Sequence, residues 1–261
     1  MWTLDRNAAV PLWRSPETHP EAVLVFSTRC GGVSRAPYDT LNLGRSTGDD
    51  PASVTANRER LLAACGLDPA WLATAGQVHG ARVVEVTAPG HHPDCDALVS
   101  RMPNLVLAVT TADCMSLLYS APGVVAAAHS GWRGTAAAMP NAALDAVCRL
   151  AGCAPAAVQV AFGPAIRGCC YEVGEDVASQ FPAAAVRATE GRPRLDLPTA
   201  ATIALLAAGV RPDSIHDTGA CTSCEPALYF SHRRDHGFTG RHWGVAALGP
   251  AGGGDRDGRG V

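Results

Sequence analysis

Three residues of this chain have the types and the setting to share one ion: His79 in QVHG, Cys114 in TADC and His129 in HSGWRG. Two imidazoles and a thiolate are donors that zinc favours, and three protein ligands leave a fourth position for water or substrate. Asp113, one residue before the cysteine, is placed to orient a ligand or to accept a proton. An open position on zinc lowers the pKa of bound water towards neutrality, which permits hydrolytic deamination of an aromatic amine. Without metal, the same residues describe a cysteine nucleophile activated by His129 or His79. Each residue also has a plainer use. A cysteine beside an apolar strand packs as a small hydrophobe, and a loop histidine makes a structural hydrogen bond. It is the combination that points to chemistry.

Candidate binding groups lie around this set. Arg133 follows Trp132 in a glycine-flanked turn ahead of a helical segment, where exposed amides favour an anion. Arg29 ends a strand before Cys30-Gly31-Gly32, in a loop whose Tyr38, Asn42 and Asp49 are placed to face a ligand. Cys221 and Cys224 form a Cys-x-x-Cys pair, which raises redox exchange or a second zinc. A redox pair usually opens a helix, whereas this one continues into Glu225-Pro226 and a strand-like aromatic segment; a structural zinc normally takes four soft ligands and the motif offers two. His91, His92, Asp94, Cys95 and Asp96 are too closely spaced for a zinc knuckle and read as a loop near the site. Arg233, Arg234 and Asp235 read as a solvated or salt-bridged loop, with Phe230 and Phe238 as stacking surfaces.

The elements that must position these groups alternate between strands and helices. AVLVFSTR is a strand, and Pro51 opens a helix capped by Asp50, with Val54, Leu61, Leu62 and Cys65 on its buried side and Gly66 as its stop. ARVVEV is a short strand. NLVLAVTTADC and GVVAAAHSGWRG are almost continuously apolar, the pattern of strands covered on both faces. TAAAMPNAALDAVCRLAG is helical, with Pro140 imposing a kink or a second start; VQVAFGPAI is a strand, a helix begins near Gly174, and LPTAATIALLAAG is a helix preceded by Asp196. The expected fold is α/β or α+β: one layered sandwich with a mixed central sheet covered by helices. Residues 1–21 are expected to form an irregular or edge-paired arm, 22–250 the catalytic domain, and 251–261 a disordered tail.

With 261 residues and 47% hydrophobic content the chain can bury a substantial core, and a net charge of −3 argues against a polyanion-binding surface, so nucleic acid is not an expected partner. No run approaches the roughly 20 apolar residues of a membrane span. The N-terminus carries Asp5 and Arg6 in place of an export signal, so the ten cysteines read as free or metal-bound thiols of a cytoplasmic protein. A monomer is expected, with a dimer as the alternative.

The ordered series FSTRCGGVSRAPYDTLNLG, QVHG, TADC, HSGWRG, GPAIRGCCYEVG, DLP and CTSCEPALYFSHRRD with TGR resembles the YfiH-like bacterial laccase-domain family. Its members are variously described as multicopper polyphenol oxidases, peptidoglycan editing factors and purine nucleoside phosphorylases. The resemblance implies a fold of the cytotoxic-necrotizing-factor/YfiH-like cysteine-hydrolase type and a zinc site of His79, Cys114 and His129. It also implies a phosphorylase cleaving adenosine, inosine and methylthioadenosine with inorganic phosphate, with adenosine deamination as an additional activity. On that reading Arg29 and Arg133 hold phosphate, Asp113 handles a proton or orients a ligand, and Asn42, Tyr171 and Phe230 contact substrate. Copper is not expected, because multicopper oxidation needs several linked sites rich in histidine. The alternatives are an amidase that removes misincorporated L-serine from a muramoyl precursor, and a non-enzymatic metal- or nucleotide-binding regulator.

Overall fold

The computed structural model describes residues 2–15 and 19–249, so the expected tail and part of the N-terminal arm lie outside the described residues. In chain order the strands are β1 (Thr3–Leu4), β2 (Leu12–Arg14), β3 (Ala22–Ser27), β4 (Leu72–Ala75), β5 (Val83–Glu85), β6 (Gly90–His92), β7 (Ala97–Ser100) and β8 (Val106–Thr111). They continue with β9 (Met115–Ala121), β10 (Val124–Ser130), β11 (Gln159–Phe162), β12 (Val186–Arg187), β13 (Arg194–Leu195), β14 (Ile215–Asp217) and β15 (His242–Leu248). The helices are α1 (Pro51–Ala64), α2 (Trp132–Ala136), α3 (Met139–Ala151), α4 (Glu175–Ala178) and α5 (Leu197–Ala207).

β12 and β13 pair separately as an antiparallel ribbon, and the other strands form a seven-stranded sheet, in the order β1-β2-β3-β15-β8-β4-β6, and a six-stranded sheet, in the order β14-β11-β9-β10-β7-β5. Both are mixed: β4 runs parallel to β6 and β8, β5 parallel to β7, and β11 parallel to β14, while the other pairs are antiparallel. The covered sheet expected from the sequence is therefore doubled within a single-domain α+β fold. Leu24, Phe26, Leu107 and Val109 of one sheet pack against Leu98, Leu118, Val125 and Ala127 of the other. Outside the six-stranded sheet, Leu144 and Val147 of α3 and Leu205 of α5 cover Val99, Leu117, Tyr119 and Val160. Outside the seven-stranded sheet, Leu61 and Leu62 of α1 cover Val106, Ala108 and Val245.

This layering explains the apolar runs. Along β9, Leu117 and Tyr119 enter the helix-facing core and Leu118 the sheet–sheet core, so both faces of the pleat are dry. Helix ends follow the local signals. Asp50 accepts from the amides of Ala52 and Ser53, Pro51 occupies the first turn, and Gly66 after the last turn takes a φ of 69°. Pro140 stands at the start of α3, where its missing N–H costs nothing, and a left-handed Ala138 at the N-cap of α3 separates it from α2. The arm is edge-paired, β1 on β2 and β2 on β3. Among the described residues no helix is long and apolar enough to cross a membrane.

One strand is absent from the sequence expectation. Met115–Ala121 forms β9, and it is β9, not β8, that pairs with β10. β8 lies in the facing sheet beside β15. Asp113, at a φ of 85°, sits where the chain passes from one sheet to the other.

Candidate functional site

The crossing at Asp113 creates the site. Cys114 immediately precedes β9, and the antiparallel register sets Ser116 opposite His129 and Met115 opposite Ser130. Thiol and imidazole are thus delivered to the same sheet end. His79 arrives on the loop between β4 and β5, in a left-handed conformation with φ 63°. Its loop is held from two sides. Gln77 exchanges side-chain hydrogen bonds with the Thr110 backbone at 2.7 and 2.8 Å, and the Asp96 carboxylate accepts from the amides of Val78, His79 and Gly80 at 3.1, 2.9 and 2.8 Å. The ligand atoms of His79, Cys114 and His129 lie within 4.8 Å of one another, and the two imidazoles meet edge to face at 4.9 Å.

The electrostatics of this trio are those of a thiolate–imidazolium ion pair. His129 is nearly fully buried and donates from Nδ1 to Asp96 Oδ1 at 2.9 Å, which leaves Nε2 for the site. Burial opposes a charged His129, but the Cys114 thiolate and Asp96 overcome it and hold the imidazole up at about 9. Burial likewise opposes the Cys114 thiolate, yet the His129 charge and hydrogen bonds from both histidines bring the thiol down to about 6. Asp96 is itself desolvated, and its His129 and amide partners still hold its carboxyl below the usual range. A Cys-His-Asp alignment of this kind serves a thiolate nucleophile or a metal ligand.

The donor set fits zinc, and the backbone leaves room for it. A Cβ at Gly131 would stand 2.8 Å from Cys114 Sγ and 3.7 Å from His79 Cδ2, so glycine keeps the space above the sulfur clear. Among the described residues this site provides two histidines, far short of the histidine-rich linked centres of multicopper oxidation.

Asp113 stands next to the trio but serves the wall. Its carboxylate accepts from Thr222 Oγ1 and from the Arg233 amide, both at 2.6 Å, tying the segments after β14 onto the crossing. Those segments form turns in place of the strand-like stretch expected over Tyr229 to Asp235. Arg234 donates to the carbonyls of Thr222 and Tyr229, so side chains replace a ladder there. Tyr171 borders the same wall. Burial pushes its phenol up to about 12, the charges of Cys114 and Asp113 act in the same direction, and Arg233 and Arg133 oppose them. Arg233 lies over the Tyr171 ring at 5.0 Å, and Arg133 lies over Trp132 at 4.5 Å. Arg241 is also within electrostatic reach of Asp113 and Cys114.

Other expected site residues are not brought to this surface. Arg29 donates to the carbonyls of Asp39 and Pro226, pairs with the Asp39 carboxylate at 3.1 Å and stacks on Phe230 at 4.7 Å. Its donors are committed to loop closure. Asn42 is fully buried; its amide donates to Thr47 and Asp49 and its oxygen accepts from the Gly44 and Arg241 amides, so nothing remains for a substrate. Phe230 is fully buried beneath Gly240 and beside His242, while Phe238 is the exposed ring. Asp96 and Arg233 are functional candidates that the sequence reading left in surrounding loops, and Arg241 is one that it did not single out. Asp96 carried a signal: a carboxylate entering the buried strand ALVS requires partners to remain charged.

Comparison with known proteins agrees with this architecture. The family described as multi-copper polyphenol oxidoreductase laccase matches residues 23–249. A purine nucleoside phosphorylase of Deinococcus radiodurans is 44% identical over 246 residues, covering 92% of this chain and 93% of that protein. A purine nucleoside phosphorylase of Streptomyces coelicolor is 44% identical over 234 residues, 85% of this chain and 94% of the relative. The crystal structure of YlmD from Geobacillus stearothermophilus superposes with a TM-score of 0.89 at 34% identity, over 95% of this chain and 100% of that one. The YfiH structure from Bacillus licheniformis gives a TM-score of 0.88 at 31% identity, over 94% and 98%.

Proposed function

The chain belongs to the multi-copper polyphenol oxidoreductase laccase family, and from its phosphorylase relatives we propose that it is a zinc-binding purine nucleoside phosphorylase. Adenosine, inosine and methylthioadenosine are its substrates, and adenosine deamination is a side activity. The observation that carries this reading is the convergence of exposed His79, partly buried Cys114 and buried His129 beside a wall bearing Tyr171, Arg133 and Arg233.

Phosphorolysis requires a phosphate oxygen to attack the anomeric carbon of the ribose while the bond from that carbon to the purine nitrogen breaks. The bonding pair leaves with the base, which takes up the proton that the attacking hydrogen phosphate gives up. Arg133 and Arg233 supply positive charge for the incoming anion, and a guanidinium matches phosphate with two parallel donors. Among the described residues no hydrogen bond engages the Arg133 guanidinium, whereas Arg233 spends one donor on the Glu172 carbonyl at 2.7 Å. Arg133 therefore takes the phosphate role and Arg233 replaces Arg29 as its partner. Tyr171, held protonated by burial, donates a hydrogen bond to the departing base. His79, Cys114 and His129 would hold zinc, which supplies Lewis acidity beside the reacting atoms. Asp96 fixes His129 so that Nε2 faces the site, and Asp113 holds the wall in register with it.

Adenosine incubated with and without inorganic phosphate tests the proposal, with products identified by mass spectrometry. Adenine and ribose 1-phosphate appearing only with phosphate are the expected result; inosine alone would make deamination the principal reaction. The Cys114-His129-Asp96 alignment favours one second reading, a muramoyl-L-serine amidase using Cys114 as nucleophile. Release of L-serine from that precursor without phosphate would select it.

A further inference from the structure

A second set of soft ligands closes on the far side of Asp113. Cys169 and Cys170 lie in the turn after β11, and Cys221 and Cys224 in the turn after β14. The Cys-x-x-Cys motif offers two of the four ligands in sequence, and the topology provides the other two. β11 and β14 are parallel neighbours, so the segments that leave their C-terminal ends run side by side. Ala165 forms a bridge with Cys221, and the Thr222 amide donates to the Ala165 carbonyl at 3.1 Å. Cys224 Sγ consequently stands 3.5 Å from Cys169 Sγ and 3.3 Å from Cys170 Sγ, and all four sulfurs lie within 4.8 Å of one another.

Core packing does not account for this convergence, because Cys169 and Cys224 are exposed and Cys170 is only partly buried. The separations exceed the ~2.05 Å of a disulfide. The two Cys224 separations lie a few tenths of an ångström under the roughly 3.8 Å between sulfurs in a tetrahedron with zinc–sulfur bonds of about 2.3 Å. We propose that Cys169, Cys170, Cys221 and Cys224 hold a second zinc ion in a closed, structural four-thiolate site. Each thiol gives up its proton to solvent as it binds, and no oxidant or reductant is involved.

The site's neighbours define its purpose. Tyr171 follows Cys170 directly, and Thr222, between the ligands of the other turn, donates to Asp113. Arg234 donates to the Thr222 carbonyl, Arg233 to the Glu172 carbonyl, and Arg194 to the Cys169 carbonyl at 2.8 Å. An ion binding these turns together clamps the wall of the Cys114 centre without touching substrate. It takes no part in the reaction.

The full chain, purified with zinc, is assayed for metal by mass spectrometry, and cobalt is then titrated into metal-free protein. Wild type is expected to hold two zinc ions per chain, and both Cys114→Ser and Cys224→Ser to hold one. Cobalt bound to Cys114→Ser should show the strong thiolate charge-transfer and d–d absorption of a four-sulfur tetrahedron; this arm leaves the four-cysteine set intact and does not depend on the folding of a cluster variant. Chelation of that remaining ion should lower the melting temperature. One ion in wild type that disappears with Cys114→Ser would overturn the proposal, as would cobalt spectra of Cys114→Ser lacking thiolate charge transfer. A disulfide among these four cysteines in zinc-replete protein would also overturn it.

Discussion

His129 and Asp96 form a buried pair, Nδ1 to Oδ1 at 2.9 Å, in which the carboxylate that orients the imidazole also accepts three consecutive amides from the loop carrying His79. One side chain therefore places two of the three candidate metal ligands. It does so from the residue just before β7, a strand that pairs with β10 directly, so the alignment is carried by the sheet.

Asp96→Asn should accordingly separate orientation from ligation, because every candidate ligand remains. The amide retains an acceptor for the loop but turns an NH2 towards donors and withdraws the charge that supports His129. Outer partners of metal ligands typically contribute about 10–100-fold to affinity or activity. We expect zinc affinity, measured by chelator competition, and turnover to fall together by that order, with the circular-dichroism spectrum preserved. Wild-type affinity in this variant would show that His129 needs no such support.

Gly131→Ala probes the space above the sulfur. Gly131 has a φ of −80°, so alanine meets no backbone strain there, and the only penalty is a Cβ 2.8 Å from Cys114 Sγ. The thiolate must move or the ligand set must open. Zinc content after dialysis should fall well below one ion at the His79-Cys114-His129 centre, and turnover with it. Retained zinc and turnover would mean that the turn yields easily and that the clearance is incidental.

The sequence made the ligands legible because each sits in a short motif whose residue types are costly to explain as packing. It made the layers legible through the apolar runs and the caps at Asp50 and Asp196. The second sheet was less visible, since continuous apolar character reports that both faces of a strand are dry but not whether sheet or helix covers them. Asp96 was hidden for a related reason: a local reading of HHPDCD sees a polar turn, while its partners lie at His129 and in the Val78–Gly80 amides. Asn42 and Phe230 erred in the opposite sense. Their types suit a ligand, and only tertiary structure shows Asn42 saturated by Thr47, Asp49 and Arg241, and Phe230 sealed under Gly240.

Arg133 and Arg29 offer a direct comparison of two candidate anion holders. A charge-assisted hydrogen bond contributes roughly 1.5–3 kcal/mol, or about 10–150-fold in binding. Arg133→Ala should therefore raise the KM for phosphate by about that factor with little change in melting temperature. Arg29→Ala should do the reverse, lowering the melting temperature through loss of its Asp39 and Pro226 contacts and its stacking on Phe230. Steady-state kinetics with varied phosphate, paired with thermal denaturation, distinguishes the two; a phosphate KM that responds to Arg29→Ala alone would reverse the assignment.

His242 gives the fold an acid-sensitive point away from the Cys114 centre. It is fully buried between Phe26, Tyr229 and Phe230, and Nε2 accepts the Phe230 amide at 2.8 Å, which requires an unprotonated nitrogen. Burial, reinforced by the charge of Arg29, lowers its pKa to about 3 from the ordinary 6.5. The sign follows from the unfolded chain binding this proton first. Stabilisation from keeping His242 neutral is complete above about pH 6.5, declines as the pH falls, and is gone once the folded ring protonates near pH 3. At about 1.4 kcal/mol per pH unit the loss reaches several kcal/mol. Urea denaturation of wild type and His242→Asn between about pH 7 and 4 tests this: the wild-type advantage should shrink steadily towards the acid end. A difference between the two proteins that stays constant with pH would show that His242 does not titrate with unfolding.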